Sequence, residues 1–132
     1  DAAGHAGIAQ SVAGHLMLLP IHSQRGQVFL PGDLLAATGL DRESFLSRSR
    51  SESIAAAISG FAAFGREHLD KARKAFRDVP RAGRGAFLPV SLAETVFRRA
   101  EKAGSEALSR SVQPSLLARQ WRIWRCATTN RL

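Results

Sequence analysis

Few side chains in this sequence are of the types that carry out chemistry. It contains four histidines: His5, His15, His22 and His68. None of them has HxxxH or HExxH spacing or a carboxylate grouped with it, so we expect no metal site from them. The single cysteine, Cys126, excludes an internal disulfide and a thiolate zinc cluster. No nucleophile elbow supports Ser/His/Asp catalysis. Taken alone, the residues define no catalytic site.

Positive charge is the second feature that could carry function. The chain has 19 Lys and Arg against 11 Asp and Glu, giving a formal net charge of +8. Residues 110–132 hold five arginines and no acidic residue, interleaved with Trp121, Ile123 and Trp124. On a helix, Leu117 and both tryptophans share one face. Three interpretations stay open: tryptophans packed in the core, which we favour, a helix at a membrane surface, or contact with nucleic acid, which no recognition pattern supports.

The composition is that of a folded domain. Apolar residues make up 45% and charged residues 23% of the 132 residues. No apolar run reaches the roughly 18–20 residues that span a bilayer, and no signal-peptide pattern is present. The chain begins at Asp1, and its one methionine, Met17, lies within a helical pattern. We therefore expect a piece of a longer protein, with an upstream half outside this sequence.

Apolar periodicity predicts an all-α chain without strands. The predicted elements are, in order, a helix over 2–19, a connector over 20–31, short helices within 31–39 and 40–48, a long helix over 52–78, a mobile basic link over 81–85, a helix over 86–103 and a last helix that opens at Pro114. We place one domain at residues 1–126 and a polar tail at 127–132.

Local signals predict several helix ends. Pro20 should end the first helix, because proline disfavours helical geometry in the residue before it. Gly39 is predicted to close a short helix, and Asp41 to cap the next one. Ser91 and Glu94 have the spacing of a capping box.

A stripe of small residues follows one face of the first predicted helix. Gly4, Gly7, Ser11 and Gly14 recur at spacings of three and four. Because glycine costs roughly 1 kcal/mol relative to alanine inside a helix, this stripe predicts a very close neighbour. The neighbour could be another helix, which we favour, or a ligand.

The stretch RGQVFLPGDLLAATGLDRESFLSR, residues 25–48, resembles the squalene/phytoene synthase family. The family pattern Arg-Gly-x-(Ile/Val)-(Tyr/Phe)-Leu-Pro-x-Asp-x-Leu falls on Arg25, Gly26, Val28, Phe29, Leu30, Pro31, Asp33 and Leu35. A following family segment fits residues 39–46, and Gly7 lies at the start of the helix that carries the preceding motif. The resemblance covers roughly residues 4–126. It implies the C-terminal half of an isoprenoid-synthase-type helical bundle.

Active members of the family condense two prenyl diphosphates, using Mg²⁺ held by two aspartate-rich motifs. By resemblance, the second motif, Asn-x-x-Arg-Asp-x-x-x-Asp, should precede residue 25 without a gap. Its positions fall on Gly14, Met17, Leu18 and His22. Every carboxylate is lost there, and Phe29 replaces the tyrosine common in the family. Because Mg²⁺ prefers oxygen ligands, the resemblance implies little or no prenyl transfer.

The resemblance also indicates which positions border the former substrate cavity. These are Gly7, Gly14, Met17, Leu18, His22, Arg25 and Phe29, with no catalytic or metal-binding residue among them. Arg25 is the one former pocket charge that could contact an anion, although a solvated arginine is the simpler interpretation. We expect no cofactor, and Mg²⁺ only if the chain belongs to an active enzyme.

A branch with the same losses, the respiratory complex I assembly factors and their bacterial relatives, resembles this chain more than the enzymes do. It implies a non-catalytic accessory or assembly factor that binds a protein partner, a membrane surface or both, with a possible isoprenoid or lipid ligand and no nucleic acid. The location would be cytoplasmic and peripheral to the inner membrane, or the mitochondrial matrix in a eukaryote. The alternatives are an active head-to-head prenyltransferase and an unrelated basic interaction module.

Overall fold

A computed structural model describes residues 1–129 and 132. Within these residues the chain is helical and contains no strand, which confirms the all-α prediction. The seven α-helices of the described residues are α1 (Ala2–Met17), α2 (Leu19–Gln24), α3 (Gly32–Ala37), α4 (Arg42–Ser47), α5 (Ser51–Ala75), α6 (Ala93–Ala103) and α7 (Leu116–Thr129). Shorter 3-10 segments lie at Phe76–Asp78, Arg81–Leu92 and Gly104–Leu108.

The core lies where α1, α5 and α6 pack against one another. Each helix turns one apolar stripe inward, and the largest fully buried side chains include Leu16, Ile58 and Phe97. The packing is tight at Gly65, where a Cβ atom would lie 2.6 Å from Phe97 Cζ and 2.8 Å from Val12 Cγ1. Side chains from α1 and α6 therefore fill the space next to this glycine of α5.

A partly buried ion pair joins α5 to α6. The Arg66 guanidinium donates to both carboxylate oxygens of Glu101, at 2.8 and 2.9 Å, and its Nε lies 3.4 Å from Glu94. The hydrogen bond to Glu101 raises the pKa of Arg66 above its usual value. The guanidinium also lies 5.9 Å from the centroid of the Phe97 ring. Charge and core packing therefore fix the same helix pair.

Glycines follow two of the short helices, as was predicted for Gly39 but not for Gly26, which lies in the predicted connector. Gly26 and Gly39 adopt positive φ angles of 65° and 72° directly after α2 and α3. In each case the next residue donates its backbone N–H to the carbonyl five residues back, as Leu40 does to Leu35 at 2.9 Å. This is the Schellman arrangement, which favours glycine. Asp41 caps α4, accepting from the Ser44 N–H at 2.7 Å and completing a capping box.

Four predicted elements were placed wrongly: the first helix, the connector, the basic link and the helix over 86–103. Pro20 does not end the first helix: α1 stops at Met17, and Pro20 lies in the first turn of α2, where its missing N–H is not needed. The predicted connector is therefore helical up to Gln24. The predicted basic link and the start of the 86–103 helix form one 3-10 segment, and Ser91 bonds the Leu88 carbonyl instead of capping a helix.

The interpretation of α7 as a core helix is also wrong for its tryptophans. Trp121 is 60% exposed and Trp124 is 56% exposed, with their rings stacked at a centroid distance of 5.2 Å. Cys126 is buried, and burial raises the pKa of its thiol. The helix continues to Thr129, into the segment predicted as a tail. No helix in the described part of the chain is long and apolar enough to cross a membrane.

Candidate functional site

The positions that resemble the second aspartate-rich motif lie across the joint between α1 and α2. Leu18 forms that joint: it ends α1, begins α2 and is 38% exposed. Gly14 lies one turn before it and His22 one turn after it, linked through backbone hydrogen bonds of 3.1 and 2.9 Å to Leu18. Met17 instead packs against the core. The joint therefore presents aliphatic and imidazole groups where a metal-binding motif would present carboxylates.

An aromatic cluster of His15, His22 and Phe29 covers this joint. Phe29 stacks on His15 with ring centroids 5.1 Å apart and contacts His22 at 4.5 Å. The two imidazoles lie 5.9 Å apart. Two of the predicted site residues are thus in contact, and His15, which the sequence did not group with them, completes the cluster. His15 and His22 are seven residues apart on either side of a helix joint, and this spacing matches no motif that would have grouped them.

The surroundings of His22 favour the neutral form of its imidazole. Burial, followed by the positive charges of His15 and Arg25, lowers the pKa of His22 from its usual value of 6.5. A neutral imidazole is a poor ligand for Mg²⁺, which prefers charged or carbonyl oxygen. Arg25 itself is exposed. Among the described residues there is no group of three or more His, Cys, Asp or Glu side chains that could hold a metal ion.

The small-residue stripe of α1 faces open space. A Cβ atom added at Gly7 or Gly14 would meet nothing within 4 Å. The expected close helix–helix contact along this stripe is therefore absent from the described chain, and the buried residues of α1 lie on its opposite side. We refer to Gly7, Ser11, Gly14 and Leu18 as the open face of α1.

A second histidine pair lies towards the other end of α1. The Nδ1 atoms of His5 and His68 are 2.9 Å apart, a hydrogen-bond distance that requires one ring to donate and the other to accept. Burial and then the charge of His68 lower the pKa of His5. The exposed Phe64 ring lies 4.8 Å from His68. The fold therefore brings the four histidines into two pairs, one between residues 63 apart in sequence and one between residues seven apart across a helix joint.

These observations define an all-helical bundle with an open helix face and no carboxylate cluster at the position of a metal motif. The chain belongs to the squalene/phytoene synthase family, whose pattern it matches over residues 1–120. This confirms the resemblance inferred from residues 25–48. No solved structure matches the chain.

Several curated relatives carry the name NADH dehydrogenase (ubiquinone) complex I, assembly factor 6. The mouse protein is 31% identical over 128 residues, which cover 92% of this chain and 38% of that protein. The rat protein is 30% identical with the same coverage. The human protein is 30% identical over 112 residues, covering 85% of this chain and 34% of its own length. The chain thus spans little more than a third of the relatives that it matches.

Proposed function

We propose that this chain is part of a non-catalytic squalene/phytoene-synthase-like protein that acts in the assembly of a respiratory NADH dehydrogenase. One observation carries the proposal: the motif positions Gly14, Met17, Leu18 and His22 offer no carboxylate, and His22 is packed against Phe29. The names of the mouse, rat and human relatives support the same role.

The physical argument against prenyl transfer concerns charge. Diphosphate is a poor leaving group unless divalent cations neutralise it, and those cations need oxygen ligands on both sides of the cavity. At the α1–α2 joint, Leu18 offers Mg²⁺ no lone pair, and His22 offers a neutral imidazole in an aromatic stack. Metal ligands confined to another part of the protein could hold diphosphate from one side only.

The open face of α1 is the surface that we assign to partner or ligand binding. It is lined by small residues. At one end lie two apolar residues, Leu18 and Phe29, which are 38% and 47% exposed. Such a face suits a protein segment, an isoprenoid or a lipid chain better than a diphosphate. We further propose that the protein is peripheral to the inner membrane, on its cytoplasmic face in a bacterium or on its matrix side in a mitochondrion.

The decisive experiment removes the gene from its native host. We expect less assembled NADH dehydrogenase on native gels and a lower NADH:quinone activity, both restored by the intact protein. Gly14→Leu fills the open face, and Gly32→Leu makes the same substitution at a position in α3 that also has nothing within 4 Å. Complementation should fail with the first variant and succeed with the second. Unchanged NADH dehydrogenase in the deletion strain would contradict the assembly role.

A second experiment tests the absence of catalysis. The purified intact protein is incubated with Mg²⁺ and farnesyl or geranylgeranyl diphosphate, and the products are separated by chromatography. We expect no squalene or phytoene above a control without enzyme. Turnover above that control would establish the active prenyltransferase instead, whatever the result of the deletion.

A further inference from the structure

Helix α7 carries an exposed apolar face that begins in its first turn. Leu117 is 79% exposed, and the stacked rings of Trp121 and Trp124 extend the same face along the helix. At 100° per residue these three side chains lie within about 60° of one another around the helix axis. Tryptophan is a large apolar side chain that monomeric proteins seldom leave this open. The stripe therefore has the form of a contact surface.

A basic cleft lies beside this face. It has a volume of about 630 Å³ and is lined by the guanidinium groups of Arg73, Arg122 and Arg125 together with Ser91 and Cys126. Thr129 and Leu132 complete the lining, and no Asp or Glu side chain of the described residues contributes to it. Three arginines therefore line one space to which no acidic side chain of the described residues contributes.

The charges in this cleft are largely uncompensated. Within the described chain, Arg122 and Arg125 form no ion pair, while Arg73 contacts Asp70 at 3.0 Å. Burial, followed by the charges of Arg98 and Arg125, lowers the pKa of the half-buried Arg122. An anion in the cleft would relieve this repulsion.

The nearby carboxylate of Glu94 is already engaged. It lies 3.4 Å from Arg66 and 4.0 Å from Arg98. It is therefore shared between two other guanidinium groups and forms no ion pair with Arg122 or Arg125.

The cleft and the tryptophan face are adjacent on one helix. Arg122 follows Trp121 and Arg125 follows Trp124, so each arginine lies about 100° around the helix from a tryptophan. Tryptophan prefers the headgroup level of a membrane, and a guanidinium group binds phosphate through paired hydrogen bonds. We propose that Arg73, Arg122 and Arg125 bind the phosphate of an anionic phospholipid while Trp121 and Trp124 insert at the headgroup level.

This site is separate from the family's diphosphate chemistry. The family match ends at residue 120, whereas Arg122 and Arg125 lie beyond it, and the degenerate motif lies on α1 and α2. The juxtaposition of a cleft lined by three arginines with an apolar face favours a lipid over a free anion, which would use only the cleft. The inference deepens the peripheral membrane location proposed above and does not depend on the role in assembly.

The test uses the intact protein and co-sedimentation with phosphatidylcholine vesicles that contain or lack phosphatidylglycerol. We expect binding to the anionic vesicles that weakens as salt is raised. The double variant Arg122→Gln/Arg125→Gln should bind about thirtyfold more weakly, since each basic residue near an anionic surface contributes about a factor of five. Trp121→Ala/Trp124→Ala should also lose binding.

A matched control removes the same charge elsewhere. Lys102→Gln/Arg110→Gln changes two basic residues of a second cleft, which also contains Glu106 and has no tryptophan in its lining. This control should bind as the unchanged protein does. Equal loss in both double variants would overturn the proposal, because binding would then follow net charge alone.

Two further measurements identify the ligand and separate the role of charge from that of paired hydrogen bonds. Inorganic phosphate at millimolar concentration should not displace the protein from vesicles, and displacement would assign the cleft to a free anion and overturn the lipid proposal. Arg122→Lys/Arg125→Lys keeps the charge and the fold but loses the paired hydrogen bonds, so it should bind with intermediate affinity. An absence of vesicle binding in a protein that still supports NADH dehydrogenase assembly would overturn this inference and leave the proposed function intact.

Discussion

We expect the packing of α1, α5 and α6 to depend on the absence of a side chain at Gly65. The Gly65→Ala substitution would place a methyl group 2.6 Å from Phe97 Cζ and 2.8 Å from Val12 Cγ1. Both distances are too short for carbon atoms, which pack at about 3.5–4.0 Å. Phe97 is fully buried and Val12 is nearly so, so neither side chain can move away without displacing other core residues.

The expected loss of stability is the difference between two effects. Replacing a glycine by alanine inside a helix stabilises it by about 0.5–1 kcal/mol. Overpacking a rigid core costs about 1–3 kcal/mol. We expect the second effect to be larger at Gly65, with a net decrease of about 1–2 kcal/mol in the free energy of unfolding. For a domain of this size that corresponds to a melting temperature about 3–8 °C lower.

Gly60 provides the matched control on the same helix. An alanine there would approach Leu34 Cδ1 at 2.7 Å, but this atom is the end of a flexible, partly buried side chain. Gly60→Ala should therefore keep the helix-forming gain and leave the melting temperature unchanged or about 1–4 °C higher. Thermal unfolding of the intact protein, followed by circular dichroism, measures both variants.

A double-mutant cycle separates the packing effect from changes in the unfolded chain. Phe97→Leu removes the ring atom that the new methyl group would meet, so combining it with Gly65→Ala should recover about 1 kcal/mol relative to additivity. A Gly65→Ala protein that melts at or above the temperature of the unchanged protein would refute the packing argument. Strict additivity in the cycle would refute the assignment of the clash to Phe97.

Three further predictions concern helix ends and titration. Gly39→Ala should lower the free energy of unfolding in urea by about 1 kcal/mol because φ is positive there, whereas Gly32→Ala should not. Asp41→Ala should lower the urea midpoint at neutral pH, but the difference should vanish in acid, because hydrogen bonds that lower the pKa of Asp41 stabilise the fold only while it is ionised. The native pKa of His22 lies below 6.5, so the unfolded chain binds the proton first. The melting temperature should therefore fall as pH decreases from 6.5, and less steeply in His22→Gln than in the unchanged protein.

The sequence predicted best what depends on neighbouring residues. The capping of α4 by Asp41 and the glycine at position 39 after α3 act within one turn of the chain, so residue types at fixed offsets are enough. The long helix α5 was predicted to within a few residues because its apolar periodicity extends over seven turns. The family match followed from a similarly local stretch, residues 25–48.

The features that were missed depend on contacts between distant residues. The four histidines form pairs only after α1 has packed against α5 and α2 has turned back at Leu18. Glycine content predicted a close contact along α1, whereas the close contact is at Gly65, because a neighbouring helix is present there and not at Gly14. The tryptophans of α7 have an amphipathic pattern that suits a core or a membrane equally, since periodicity shows which residues share a face but not what that face contacts.

The residues at the motif positions also determine what the surface can bind. A face lined by carboxylates attracts cations and, through them, diphosphate. Leu18 and Phe29 instead expose apolar surface to water. A partner that covers this surface gains roughly 25 cal/mol of binding free energy per Å² buried. Binding at the open face of α1 should therefore be nearly insensitive to salt. Binding at the cleft of Arg122 and Arg125 should weaken as salt screens the charges. Salt dependence thus distinguishes which of the two surfaces a given partner uses, because the two surfaces attract their partners by different forces.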